Sequence, residues 1–249
     1  MAIGTKSDDE IAAMREAGRI VARILQRLAA EVRPGVRTAD LDRVCVEELT
    51  RYRVKSSFKG YRGFPAHICT SINDEVVHGI PGERILREGD VLSIDVGVVH
   101  NGFQGDAAMT VGVGTISAEA RRLLEVTEGS LGAGIAAAKE NARLGDISAA
   151  IQDYVESNGF SVVREYTGHG IGREMHEEPQ IPNFGRPGHG PRLRRGMTLA
   201  IEPMVNSGGW STRVGDDHWT VVTADGSLSA HFEHTVAVTN GEAEILTLV

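Results

Sequence analysis

With 249 residues, 41% of them apolar and 24% charged, the chain has the size and composition of a globular protein able to bury its own core. Its net charge of −8 argues against general nucleic-acid binding, although Arg186, Arg192, Arg194 and Arg195 form one local basic patch. Two cysteines, Cys45 and Cys69, are too few for a disulfide framework, and neither a signal core nor a run of about 18 apolar residues occurs, so a cytoplasmic protein without a membrane span is expected.

Ser7-Asp8-Asp9-Glu10 reads as a capping box, after which Ile11, Met14, Ala17, Val21, Ile24, Leu25 and Leu28 share one helical face up to Pro34-Gly35. Thr38 is placed to cap a second helix carrying Leu41, Val44, Cys45, Leu49 and Tyr52. Residues 58–69 are aromatic and broken by glycine, which predicts a shaped loop. Short strands follow at 68–71, 75–78, 91–99 and 103–112. Ser117 opens a third helix, weakened by Gly132 and Gly134, and Asp146 is placed to cap a fourth that stops at Ser157-Asn158-Gly159. Strand patterns at 161–166, 197–204, 218–223 and 231–238 complete the chain.

This order repeats. The caps Ser7 and Thr38 have counterparts 110 and 108 residues later, at Ser117 and Asp146, and Asp95 is echoed by Glu202 107 residues on. The string from His78 to Gly82 is echoed by the one from His169 to Gly172. The expected architecture is therefore α+β: one domain over residues 1–249, built from halves at about 7–112 and 117–239 related by a pseudo-twofold axis. A cleft between such halves is the natural place for a site.

Acidic residues interrupt the predicted strands. In the segment VLSIDVGVV (91–99), Asp95 lies opposite the apolar face, and Asn101-Gly102 marks a two-residue hairpin. That loop pairs His100 with Phe103, sets Asp106 opposite Gly97, and puts both aspartates on one face as diagonal neighbours about 7–8 Å apart. Like charges so placed resist desolvation, and a divalent cation relieves them. Glu202, whose following Pro203 suggests a sheet edge, and Glu233 repeat the anomaly. With His169 between two glycines, these four carboxylates form an oxygen-rich, one-nitrogen ligand set suited to two divalent ions rather than to a structural zinc.

The segments SINDEVVHGIP (71–81), SIDVGVVHNGFQGDAAMT (93–110), TGHGIGREMHEEP (167–179), LAIEPMV (199–205) and SAHFEHTVAVT (229–239) together resemble bacterial type I methionine aminopeptidase, and the resemblance covers essentially the full chain. It implies the duplicated pita-bread fold and removal of the initiator methionine from nascent proteins, with a small second residue preferred. It matches all five metal ligands, Asp95, Asp106, His169, Glu202 and Glu233, and implies that Asp106 and Glu233 bridge while His169 and Glu202 complete one ion and Asp95 holds the other. Water activated between two ions of manganese, iron(II), cobalt or zinc then attacks the scissile carbonyl, and Glu202 moves a proton toward the leaving amine.

In the same comparison His176 stabilises the developing oxyanion and His78 contacts the peptide nitrogen. Tyr61, Phe64, Cys69 and Trp219 match the family's methionine pocket; Phe58 stands where some members have cysteine and Met175 where some have phenylalanine, both still apolar. Asn73 and Ser229 match positions near a monovalent sodium or potassium ion. His67 is expected to shape the pocket, while His189, His218, His231 and His234 are read as surface or packing residues. The resemblance implies a monomer whose partners are the N-terminal peptides of nascent chains, with transient ribosome contact. On this resemblance the chain is expected to open at the catalytic domain, without the N-terminal extensions of some relatives or the helical insertion of the type II branch. Within the fold, the rival is a proline-directed aminopeptidase or prolidase, which shares the five ligands. A non-enzymatic binding member, the rival from another class, would have lost a carboxylate, and a metal-free amidine hydrolase would not need the complete set.

Overall fold

In the computed structural model, which describes residues 3–249, Ser7 accepts from the Glu10 amide while the Glu10 carboxylate accepts from the Ser7 amide. From this capping box α1 (Asp8–Glu31) runs with Met14, Ala17, Val21, Ile24, Leu25 and Leu28 buried. The helix α2 (Thr38–Tyr52) begins one residue earlier than a Thr38 cap would allow. Arg37 is its N-cap, and Asp40 at N3 accepts from the Arg37 amide, while the Thr38 hydroxyl is occupied by the Gly82 amide and carbonyl. The same correction applies to α4: its N-cap is Arg143, and Asp146, at N3, accepts from the Arg143 amide at 2.6 Å.

The first half continues through β1 (Lys55–Ser56), β2 (Cys69–Ile72), β3 (Glu75–Val77), β4 (Val91–His100) and β5 (Phe103–Gly112). After α3 (Ala118–Ala137), capped by Ser117 as expected, and α4 (Leu144–Ser157) come β6 (Ser161–Val162), β7 (Thr167–Gly170), β8 (Glu177–Pro182), β9 (Thr198–Ile201) and β10 (Met204–Asn206). Then follow β11 (Thr212–Val214), β12 (Val221–Thr223), β13 (Ser229–His231), β14 (Glu233–Ala237) and β15 (Glu244–Ile245). Gly132 and Gly134 do not stop α3, because a Cβ on Gly134 would meet the Ile151 side chain at 2.8 Å and the glycine lets α4 approach.

The central sheet has the order β1-β4-β5-β14-β9-β7-β8, with β2 also on β4 and β15 on β14. Its middle is symmetric: β5 lies beside β14, β4 flanks β5, and β9 flanks β14. The long outer helix α1 packs across β4 and β5 over Ile24, Leu28, Leu92 and Ile94, while α3 and α4 pack over Ile147, Ile151, Leu199 and Ile201. Backbone hydrogen bonds repeat in register: Leu86 and Val36 bond as Leu193 and Ala142 do, and the Gly89 amide reaches Val113 as the Gly196 amide reaches Val238. The chain is thus a duplicated α+β fold with the helices outside. The histidine echo is not part of that duplication. His169 pairs with Ala200 and the equivalent pair is Ser71 with Ser93, so His78, beyond β3, has no structural equivalence to His169.

The expected strand at 197–204 splits at Glu202-Pro203, which carries the chain from the central sheet into a second sheet of order β13-β10-β6. A proline has no amide to extend the ladder. Glu202 is therefore neither strand-borne nor at a sheet edge, since β9 lies between β14 and β7. The strand at 231–238 likewise breaks at Phe232, and the one at 161–166 shortens to two residues. Among the described residues, no helix is long and apolar enough to cross a membrane. The basic patch is partly spent within the chain: Arg192 bonds the Asn141 carbonyl, Arg194 the Ile3 carbonyl, and Arg195 the Asp8 carboxylate.

Candidate metal centre

The β4–β5 hairpin brings in the first two carboxylates. Asn101 and Gly102 both take positive φ, 51° and 78°, as a tight two-residue turn requires. His100 pairs with Phe103, Asp95 with Ala108, and Gly97 with Asp106, so the expected register and same-face placement hold. Gly97 is glycine for a spatial reason: a Cβ there would meet the Phe58 ring at 2.7 Å, and Phe58 forms part of the cavity wall. Glu233, the first residue of β14, pairs with Ala108 and so arrives beside Asp95 and Asp106 from across the pseudo-twofold.

His169 enters from β7 with its tautomer set by its own backbone. Its Nδ1 lies 2.9 Å from the Gly170 carbonyl, which makes Nδ1 the donor and leaves the Nε2 lone pair facing Asp106 Oδ2 at 3.9 Å and Glu202 Oε1 at 3.6 Å. Glu202 is held by its main chain: Asn183 Nδ2 donates to the Glu202 carbonyl at 3.0 Å, replacing a ladder bond at the break. One ligand atom each from Asp106, His169 and Glu233 lies within 4.8 Å of the others, and all three residues are buried. Asp95 and Glu202 line the same cavity as these three, with Glu202 Oε1 3.6 Å from His169 Nε2. All five expected ligands are therefore brought together.

The electrostatics define what this cluster lacks. Burial pushes the Asp95 carboxyl up to about 7 and Glu202 up to about 8. Asp106 and Glu233 stand well above the usual carboxylate range, through burial first and then through their acidic neighbours. Burial, followed by the nearby His176, drives the His169 imidazole down to about 3, so it stays neutral and free to ligate. Asp95 Oδ1, Asp106 Oδ1 and Glu233 Oε1 are buried without a hydrogen-bond partner. Oxygen acceptors orphaned in one place, beside a neutral imidazole nitrogen, fit hard-to-borderline divalent cations, and they are too acidic a set to stay ionised together without them.

This cluster forms the floor of a cavity of about 150 Å³. Phe58, Tyr61, Phe64, Cys69, Met175 and Trp219 line its sides, as expected, and Phe64 meets the Trp219 ring edge-on at 5.1 Å. His78 ends β3 with φ of 61° and points into the cavity; Gly79 must follow it, because a Cβ would meet the Thr70 carbonyl at 2.1 Å. His176 stacks on Tyr61, whose hydroxyl lies 2.7 Å from Nδ1, and its ring centre is 4.3 Å from that of His169. Burial lowers His78 to about 4, with His231 and His176 adding to the effect, and partial burial followed by Arg62 lowers His176.

Asn73 and Ser229 are neighbours, the Ser229 amide donating to the Asn73 carbonyl at 2.8 Å. The Ser229 hydroxyl is 2.9 Å from Asn206 Oδ1. His67 instead pairs with Asp42 at 3.1 Å and does not line the cavity, which corrects its expected part in shaping the pocket. Three functional neighbours escaped the sequence reading: Asn183 behind Glu202, Arg62 at the cavity, and His231, a packing residue whose Nε2 lies 3.6 Å from Glu202 Oε2. A histidine two residues before Glu233, on a strand leading into the cluster, was the available signal for the last of them.

The model of metallopeptidase family M24 matches residues 12–240. The methionine aminopeptidase of Clostridium perfringens is 55% identical over 244 residues, 98% of each chain. Methionine aminopeptidase 1 of Bacillus subtilis is 52% identical, also over 244 residues and 98% of each chain. The crystal structure of methionine aminopeptidase from Thermotoga maritima matches with a TM-score of 0.98 at 48% identity, covering 100% of both chains. Prolidase from Pyrococcus furiosus shares the fold, with a TM-score of 0.79 at 20% identity over 98% of this chain and 65% of that one.

Proposed function

Because the chain belongs to metallopeptidase family M24, we propose that it is the metal-dependent aminopeptidase that removes the N-terminal methionine of polypeptides in the cytoplasm. The observation that carries this reading is that Asp95, Asp106, His169, Glu202 and Glu233 lie together in a mainly apolar cavity of about 150 Å³, three of them with donor atoms within 4.8 Å of one another. Full-length identity of 52–55% to methionine aminopeptidases favours methionine over the proline-directed chemistry of the distant prolidases.

Asp95, Asp106, His169, Glu202 and Glu233 would hold two divalent ions, of manganese, iron(II), cobalt or zinc. When bound, such ions activate water as a nucleophile and polarise the scissile carbonyl. The methionine side chain enters the slot between Phe58, Phe64, Cys69, Met175 and Trp219, where an unbranched thioether packs and a charged side chain would lose its hydration. Glu202, at the border between cluster and cavity, carries a proton toward the leaving amine. His176, braced by Tyr61, donates to the oxygen on which negative charge develops, and His78 contacts the peptide nitrogen. A small second residue is preferred because a bulky one would hold the carbonyl away from the cluster. Asn73 and Ser229 border a site for sodium or potassium.

Steady-state hydrolysis of Met-Ala-Ser, Met-Leu-Ser, Lys-Ala-Ser and Ala-Pro, with manganese and with a chelator, tests this. Met-Ala-Ser should be cleaved fastest and only with metal. Preferred cleavage of Ala-Pro, or rates unaffected by chelation, would refute the reading.

A further inference from the structure

His231 is buried at 2% exposure beside the cluster, and its Nε2 has no hydrogen-bond partner among the described residues. A buried imidazole nitrogen left unpaired is costly, and nearby histidines find partners: buried His169 a carbonyl, half-buried His234 the Thr247 hydroxyl. The backbone of His231 leaves its side chain little choice of direction. Its amide lies 2.9 Å from the Thr110 hydroxyl, that hydroxyl lies 2.8 Å from its carbonyl, and β13 pairs it with Met204. The Nε2 atom therefore faces Glu202 Oε2 at 3.6 Å, while the other carboxylate oxygen, Oε1, faces His169 Nε2 at the same distance.

Glu202 thus stands between two imidazoles that treat its oxygens differently. His169 has its proton on Nδ1, so its Nε2 cannot donate to Oε1; His231 has no acceptor for Nε2 other than Oε2. We propose that His231 is a positioning residue that donates its Nε2 hydrogen to Glu202 Oε2 and so turns Oε1 toward the metal and the reacting bond. The gap of 3.6 Å exceeds ordinary hydrogen-bond reach by about 0.4 Å, which a small rotation of either side chain closes. Together with Asn183, which holds the Glu202 carbonyl, His231 fixes the one ligand that lies outside regular secondary structure. A carboxylate on a chain break has more freedom than one on a strand, and donors behind a ligand restrict it. The inference rests on the reading of Glu202 as a metal-holding carboxylate.

The test uses the full chain and manganese or cobalt alone. His231→Gln keeps an amide donor near the position of Nε2, His231→Asn places it near Nδ1, and His231→Leu removes it. Calorimetric titration of metal-free protein should show manganese affinity falling roughly 10–100-fold in His231→Leu and His231→Asn, and within about 3-fold of wild type in His231→Gln. Thermal unfolding in chelator identifies any variant that fails to fold, and the Gln–Asn contrast then decides between donor position and packing. Equal affinities in all three variants would overturn the role. A cobalt absorption spectrum with displaced bands in His231→Gln would make His231 a ligand itself and overturn it too. Glu202→Gln is the control: wild-type metal affinity there would overturn the metal reading of Glu202, whereas weakened Glu202→Gln with wild-type His231→Leu overturns the His231 role alone.

Discussion

Replacing Asp95 with Asn should stabilise the metal-free protein and shrink the stability it gains from metal. Burial, opposed by His231 and reinforced by Glu202, holds the Asp95 carboxyl at about 7 against an ordinary 3.8. Its folded-state value is raised, so the unfolded chain releases the proton first as pH rises. Stability is therefore lost progressively from pH 3.8 upward, and the loss is complete once pH passes about 7. Over about three pH units, at ~1.4 kcal/mol each, the penalty reaches a ceiling of about 4 kcal/mol. Asn has nearly the same shape and never ionises, so in chelator at pH 7.5 Asp95→Asn should unfold later by up to about 8–16 °C, at ~2–4 °C per kcal/mol for a chain of this size. At pH 4 the gap should close. Manganese narrows the gap: at a hundredfold excess over Kd, binding adds about 2.7 kcal/mol to the wild type, and less to a variant that has lost a ligand. Thermal and urea unfolding of both proteins, at both pH values, with and without metal, measures all four cases. A variant less stable than wild type in chelator at pH 7.5, or a gap that does not change with pH, would refute the reasoning.

Asp106→Ala should lose more manganese affinity than Asp95→Ala, because Asp106 joins His169 and Glu233 in the tightest group of donors; calorimetry giving the reverse order would reject its bridging role. His176→Ala should lower turnover roughly 10²–10³-fold at matched metal occupancy, since its ring reaches the cavity without belonging to the ligand set; full activity would remove it from the mechanism. Lys6→Met should raise KM while leaving metal affinity nearly unchanged. Lys6 meets Glu177 Oε2 at 2.5 Å, and Glu177 Oε1 accepts from the Arg173 and Glu174 amides in the turn that carries Met175 and His176, so kinetics with unchanged KM would show the turn to be self-supporting.

Much of this was legible because local chemistry and tertiary structure agree. Four apolar helical faces set the helices, and Asn101-Gly102 fixed the parity that puts Asp95 and Asp106 together. The helix starts at 37 and 143 misled for an identifiable reason. A threonine or aspartate near a helix start reads as its cap, yet the aspartates serve from N3 and the cap positions fall to arginines whose backbone bridges to Ile85 and Arg192. Strands of two or three residues, such as β1, β11 and β15, carry no readable alternation; their partners, not their own pattern, make them strands. Glu202 was correctly singled out and wrongly housed, because Pro203 signals a missing donor equally well at an edge and at a crossing between sheets.

The near-symmetry of the fold explains why the site is asymmetric where chemistry needs it to be. Each half contributes two carboxylates at matching places, Asp95 with Asp106 and Glu202 with Glu233, so a cage for cations follows from duplication alone. A symmetric cage has no preferred direction for a peptide bond. The direction comes from positions where the halves differ. The second half presents His169 opposite Ala200 where the first presents Ser71 opposite Ser93, placing the imidazole of the donor cluster on a single side. Of the apolar and aromatic lining, the first half supplies Phe58, Tyr61, Phe64 and Cys69, and the second Met175 and Trp219. The second half alone breaks its strands at Glu202 and Phe232, and those breaks let His231 and Asn183 reach Glu202. The apolar wall of the cavity thus comes mainly from one half, and the carboxylate outside regular secondary structure, Glu202, from the other.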